Sequence, residues 1–259
     1  MNFPHPWRTV RPLVAGLVLL LLRFLENTTG FDPATGLSLH QLPGKLLAVG
    51  VVALLVLEYA LALRLPKTRR SAEAHFAPPQ KSLPLAVAGC MLLAAGGVLL
   101  AIPAISVRGG LANLATGALG LLAGLGLLAA LRKLRAGGAP SVAPLLPALF
   151  FGVFLVLTVY LPSTSDPVLA RYYLPVLAAA MVAYALAQLA GFFRKESSPR
   201  GFTPTANCAA ALSLAALSDG ALPQKLLFLG CALVLTVFLA LQREDAPADE
   251  LSGDPEKIN

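Results

Sequence analysis

The chain alternates long apolar stretches with short polar breaks. Six stretches hold no charged residue: 82–107, 109–131, 136–165, 172–193, 201–218 and 226–242. Two more are interrupted once each. The stretch 12–22 reaches Leu25 across Arg23, and 46–63 contains Glu58. A helix rises about 1.5 Å per residue, so about 20 mostly apolar residues match the hydrocarbon thickness of a bilayer. The pattern therefore predicts an all-α fold, a polytopic membrane helix bundle of eight transmembrane helices. The seventh stretch is the weakest, because it is short and opens with Thr203, Thr205 and Asn207.

Lys and Arg test the count. With the N-terminus assigned to the cytoplasm, the inside segments carry Arg8 and Arg11; Arg64, Lys67, Arg69, Arg70 and Lys81; Arg132, Lys133 and Arg135; Arg194, Lys195 and Arg200; and Arg243 and Lys257. The outside carries only Arg23, Lys45, Arg108, Arg171 and Lys225. Cytoplasmic loops are enriched in Lys and Arg, and each inside loop here outnumbers each outside loop. A missing crossing would break this alternation downstream. The reading keeps the seventh helix and puts both N- and C-termini in the cytoplasm. Arg8, Arg11 and 13–22 resemble a signal peptide, but no small-x-small cleavage site follows. The segment is read as a retained first helix.

Residues 1–242 form the expected transmembrane domain, with an external loop at 26–44 and a basic cytoplasmic loop at 67–81. The tail 243–259 holds Glu244, Asp245, Asp249, Glu250, Asp254 and Glu256 against Arg243 and Lys257. It is acidic, rich in Ala and Pro, and expected to be disordered.

Composition agrees. The 259 residues are 57% hydrophobic and 13% charged, with mean hydropathy +0.74. Soluble domains are about 25% charged. A soluble globular domain is excluded, and the net charge of +7 marks helix ends rather than a nucleic-acid surface. The expected partner is a lipid bilayer, with a multi-pass location in a bacterial cytoplasmic membrane. Cys90, Cys208 and Cys231 lie far apart in apolar runs and read as small buried hydrophobes. His5, His40 and His75 are scattered, so no metal or other cofactor is expected.

Glu58 is the only acid inside a predicted span. Carboxylates in hydrocarbon are costly unless protonated, paired or facing water, which makes them functional suspects. Glu58 also lies close to the cytoplasmic end of its helix, within reach of Arg8, Arg11 or Arg64. Arg23, near the outer face, reads as a snorkelling side chain that lies along lipid. Asn207, Ser213 and Gln188 are expected to hydrogen-bond between helices. Glu58, Gln188 and Asn207 are the candidate pathway residues if anything is transported. Gly120-x-x-x-Gly124 puts two glycines on one face and favours close helix packing, within the chain or in self-association. Pro103, Pro147 and Pro175 are expected to kink their helices.

In the external loop, Asp32-Pro33 opens a turn and Thr35-Gly36 closes one. Phe31 and Leu37 flank them, and the loop is expected to form an ordered cap. Phe31, Asp32, Pro33, Thr35 and Gly36 are the candidate external contact residues. The leucine-rich first helix, then Gly-Phe-Asp-Pro-Ala-Thr-Gly-Leu, then a second helix ending Arg-Leu-Pro, resembles a group of uncharacterised bacterial integral membrane proteins. The resemblance covers about the first 65 residues and implies a membrane protein without an assigned activity, so no residue role is carried over.

Enzyme templates fail. There is no His-Glu-x-x-His, Gly-x-Ser-x-Gly, P-loop or dinucleotide fingerprint. Asp219-Gly220-Ala221 echoes the start of a phosphatidyl-alcohol transferase signature without its remaining residues. The expectation is a non-enzymatic membrane protein, a scaffold, sensor or accessory subunit. The alternative is a small transporter or permease component with a polar pathway between helices.

Overall fold

The computed structural model describes residues 5–31, 40–106, 111–136, 143–160 and 173–243. Every predicted apolar stretch contains helix. The first, α1 (His5–Leu25), runs into a widened π turn, Glu26–Gly30. Then come α2 (Gln41–Ala62), the single turn α3 (Ala72–His75), α4 (Leu83–Ser106) and α5 (Leu111–Ala136). The next, α6 (Leu145–Phe154), continues as a π-helical segment, Leu155–Tyr160. It is followed by α7 (Tyr173–Phe193), α8 (Pro199–Ala215) and α9 (Leu222–Ala240). No strand forms among the described residues. Asp32, Pro33, Thr35, Gly36 and Leu37 of the expected cap, Arg108 and Arg171, and the tail 244–259 lie outside the described residues.

Among the described residues, five helices, α2, α4, α5, α7 and α9, are long and apolar enough to cross a membrane. The others fall short for visible reasons. Arg8, Arg11 and Arg23 dilute α1, and α8 has only 17 residues.

Helices α4 to α9 form a closed ring in chain order, with α9 packed back on α4. The hairpin of α1 and α2 packs outside this ring on α8. Contacts between glycines and their neighbours show the running directions. Gly89 of α4 meets Gly230 of α9, and Gly96 meets Pro223 and Leu227. Gly97 meets Gly117 and Gly120 of α5, while Gly124 meets Cys90. Gly126 meets Leu146 and Pro147 of α6, and Gly120 meets Phe150. Each pair runs antiparallel. Gly120 and Gly124 thus face α4, where a Cβ on either would come within 2.8 Å of backbone atoms.

Aromatic side chains from opposite helices meet inside the ring. Phe150, Phe151 and Phe154 of α6 are fully buried, and Phe154 and Phe151 meet Phe228 of α9 with ring centroids 6.1 and 6.5 Å apart. Helix α8 sits where ring and hairpin join, touching α1, α2, α7 and α9. It is buried nearly all round. This explains its weak hydropathy, since a helix surrounded by protein need not be apolar on every face. Pro147 falls in the first turn of α6. Proline costs no helical hydrogen bond there, so the expected kink does not arise at this position.

We call the end of the bundle at the start of α1 basal and the other end distal. The basic segment 67–81 is pinned across the basal end. Arg70 N–H donates to Ser197 O, Ala77 N–H to Leu241 O at 2.7 Å and Arg243 N–H to His75 O at 2.8 Å. Phe76 drives this closure. It is buried among Phe192, Phe202 and Phe238, with centroids 5.2–5.6 Å apart. Edge-to-face packing of this kind adds to the burial of the rings.

Candidate functional site

Two buried charge clusters mark the ends of the bundle. At the basal end, Arg11 Nη2 donates to Glu58 Oε2 at 2.7 Å, and Asn207 Nδ2 donates to the same oxygen at 2.8 Å. One carboxylate oxygen thus joins α1, α2 and α8. Glu58 is 1% exposed and Asn207 fully buried. Gly16, one and a half turns beyond Arg11, allows the approach. A Cβ there would lie 2.7 Å from Leu214 Cδ1. Among the described residues, Glu58 Oε1, Asn207 Oδ1 and Arg11 Nε have no hydrogen-bond partner.

The distal cluster is larger. Arg23 Nε donates to both oxygens of Asp219 at 2.9 Å, and Arg23 Nη1 donates to Glu26 Oε2 at 2.6 Å. Asn27 Nδ2 donates to Asp219 Oδ1 at 2.9 Å and to Ser218 Oγ at 3.1 Å. Tyr173 O–H donates to Glu26 Oε2 at 3.1 Å, and its ring lies 5.2 Å from the Arg23 guanidinium carbon. Local structure sets this up. The π turn beginning at Glu26 brings Arg23, Glu26 and Asn27 to one side. The turn after α8 presents Asp219 through Gly220, whose φ of +72° suits glycine. Burial pushes the Asp219 carboxyl above its ordinary range, while Arg23 and Asn27 pull it back.

Arg23 therefore does not snorkel. It is fully buried and ion-paired, which corrects the sequence reading. The missed signal was the acid three residues on, Glu26, with a lone acid in the distal turn, Asp219.

Beside this cluster opens a cavity of about 380 Å³, walled by Glu26, Phe31, His40, Gly44, Lys45 and Tyr173. Phe31 is 8% exposed, packed rather than free.

Of the candidate pathway residues, Glu58 and Asn207 come together and Gln188 does not join them. Ser197 Oγ donates to Gln188 O at 2.6 Å and to its Oε1 at 3.2 Å, closing the turn between α7 and α8. Ser213 Oγ, expected to bond between helices, has no hydrogen-bond partner among the described residues. Cys90, Cys208 and Cys231 are buried and free. No group of His, Cys, Asp and Glu able to hold a metal ion occurs among the described residues. No protein-family model, curated protein or solved structure matches the chain.

Proposed function

We propose that the chain is a non-enzymatic multi-pass protein of a bacterial cytoplasmic membrane, with eight helices crossing and both termini cytoplasmic. Its role is that of a scaffold, sensor or accessory subunit. The carrying observation is that Glu58, the one acid within the predicted spans, is tied to Arg11 and Asn207. An acid so engaged fastens helices, and Phe151 and Phe154 of α6 meet Phe228 of α9 inside the ring. The basal end holds Arg11, Arg64, Lys67, Arg69, Arg70, Arg132, Arg194 and Arg200, which supports a cytoplasmic basal face.

The transporter reading keeps one observation in its favour. Glu58 Oε1 and Asn207 Oδ1 are buried polar atoms that make no hydrogen bond within the described residues, and such atoms mark functional places in membrane proteins.

Reconstitution into vesicles separates the two. A structural Glu58 gives no proton flux above empty vesicles, and Glu58→Gln leaves insertion intact. A flux that Glu58→Gln abolishes, with folding unchanged, establishes the transporter reading instead.

A further inference from the structure

We infer that the distal cavity is a headgroup site for a zwitterionic aminophospholipid, with the lipid ammonium on Glu26 and its phosphate on Lys45. The inference rests on the membrane reading above, which puts the distal end at a bilayer surface.

Glu26 is buried, and its Oε2 is engaged by Arg23 and Tyr173. None of these bonds reaches Oε1. That oxygen lies beside Gly44 on the cavity wall, where a Cβ on residue 44 would stand only 2.6 Å away. Among the described residues, the cluster sets two carboxylates, Glu26 and Asp219, against the single guanidinium of Arg23. A buried negative charge in excess is costly unless a cation meets it. The cavity is where one can enter. Lys45 stands on the same wall, exposed, one residue beyond Gly44. The wall thus carries a buried carboxylate and an exposed basic residue between which no ion pair forms among the described residues, and a ligand carrying both signs satisfies both. At about 380 Å³ the cavity lies at the small end of ligand pockets, fit for a headgroup rather than a large solute.

Two features select a lipid with a primary amine. Leu42, Leu46 and Val49 are exposed on α2 beside and below the cavity, an apolar track for acyl chains. A carboxylate oxygen matches an N–H donor. Choline has none and is held by aromatic cages, whereas the rings on this wall among the described residues are Phe31, His40 and Tyr173, the last with its hydroxyl already turned to Glu26. A glycerol headgroup has no cation for Glu26.

The test is native mass spectrometry of the full-length protein taken from bilayers of equal phosphatidylethanolamine, phosphatidylglycerol and phosphatidylcholine. Carbonate extraction is run first, since release of the protein from membranes sinks the membrane reading and this inference with it. For the embedded protein, at least threefold preferential retention of one phosphatidylethanolamine is expected. Lys45→Glu should remove the preference, as should Ala48→Trp, which fills the cavity from α2. Soluble phosphoethanolamine should compete. Equal retention of the three lipids by embedded protein overturns the headgroup site while leaving the membrane reading standing. So does a preference unchanged in both variants. Glu26→Gln is a third variant, and the first two keep the result readable if it fails to fold.

Discussion

Arg23 and Asp219, 196 positions apart in sequence, meet through two hydrogen bonds of 2.9 Å, both donated by the arginine Nε. This contact fixes the distal end of α1 to the turn leaving α8. It also holds two acids near one cation in a place sheltered from water. Removing the cation leaves both acids without it. Arg23→Ala is therefore expected to cost about 3–5 kcal/mol, the usual penalty for breaking a buried pair from one side. Thermal unfolding in detergent measures it.

Arg23→Lys discriminates more sharply. A guanidinium reaches Asp219 and Glu26 at once with Nε and Nη1, and an ammonium cannot reproduce that fork. A loss of more than about 1 kcal/mol is expected on the scale of hydrogen bonds to charged groups. A snorkelling arginine would accept lysine at no cost, so an unchanged melting temperature would refute the buried cluster.

The helices were legible in the sequence, and the partners were not. Apolar runs, six of them charge-free and two interrupted once, located every long helix because a bilayer-thick apolar segment has few alternative structures. The same runs carry no record of which helices touch. Arg11 and Glu58 were within reach on paper because both lie near the same helix ends. Arg23 and Asp219 were not paired, because hydropathy says nothing about the path of α8 past α1. The polar opening of α8 looked like weakness in a lipid-facing span. In the fold it marks the helix most enclosed by others, where Thr203 bonds Gln242 and Asn207 bonds Glu58. Phe76 was hidden in a segment read as a basic loop. Its only signal was a large aromatic residue among Arg, Lys and Pro.

Glu58 and Arg11 form a pair suited to a double-mutant cycle. Glu58→Gln keeps an acceptor for Asn207, and Arg11 is 16% exposed, so its freed charge has a route to water. A loss of about 1–3 kcal/mol is expected, with the protein still inserted. Arg11→Gln leaves Glu58 buried without its counter-ion and should cost more. The double variant should be less destabilised than the sum, with a coupling of about 0.5–3 kcal/mol. Strict additivity would mean the pair contributes nothing to joining α1 and α2.

The interface of α4 and α5 depends on glycine. A Cβ on Gly97 would lie 2.7 Å from backbone atoms of Gly120 and Leu121, so Gly97→Val must push the helices apart. Overpacking of this kind costs about 1–3 kcal/mol. Gly152 is the control, since nothing lies within 4 Å of its Cβ position. Gly152→Ala should be neutral or stabilise by up to about 1 kcal/mol through helix propensity. Equal effects of the two on melting temperature would contradict the antiparallel contact.

The number of crossings turns on α6 and α7, because α6 is not among the five helices that are long and apolar enough by themselves. Arg132 closes α5 and Arg194 follows α7, and both are exposed. If α6 and α7 both cross, the chain leaves and returns between these residues, and the two lie on one side. If α6 stays on one face, they lie on opposite sides. The antiparallel packing of α5 on α6 and the basic residues at both positions favour one side. Single cysteines at positions 132 and 194 should therefore react with an impermeant maleimide only after the cytoplasmic face is opened. A cysteine in place of the exposed Lys45 should react in intact cells. The native Cys90, Cys208 and Cys231 are buried and should stay silent in the folded protein. Labelling of 132 and 194 from opposite faces would reduce the count and overturn the assignment of every helix downstream.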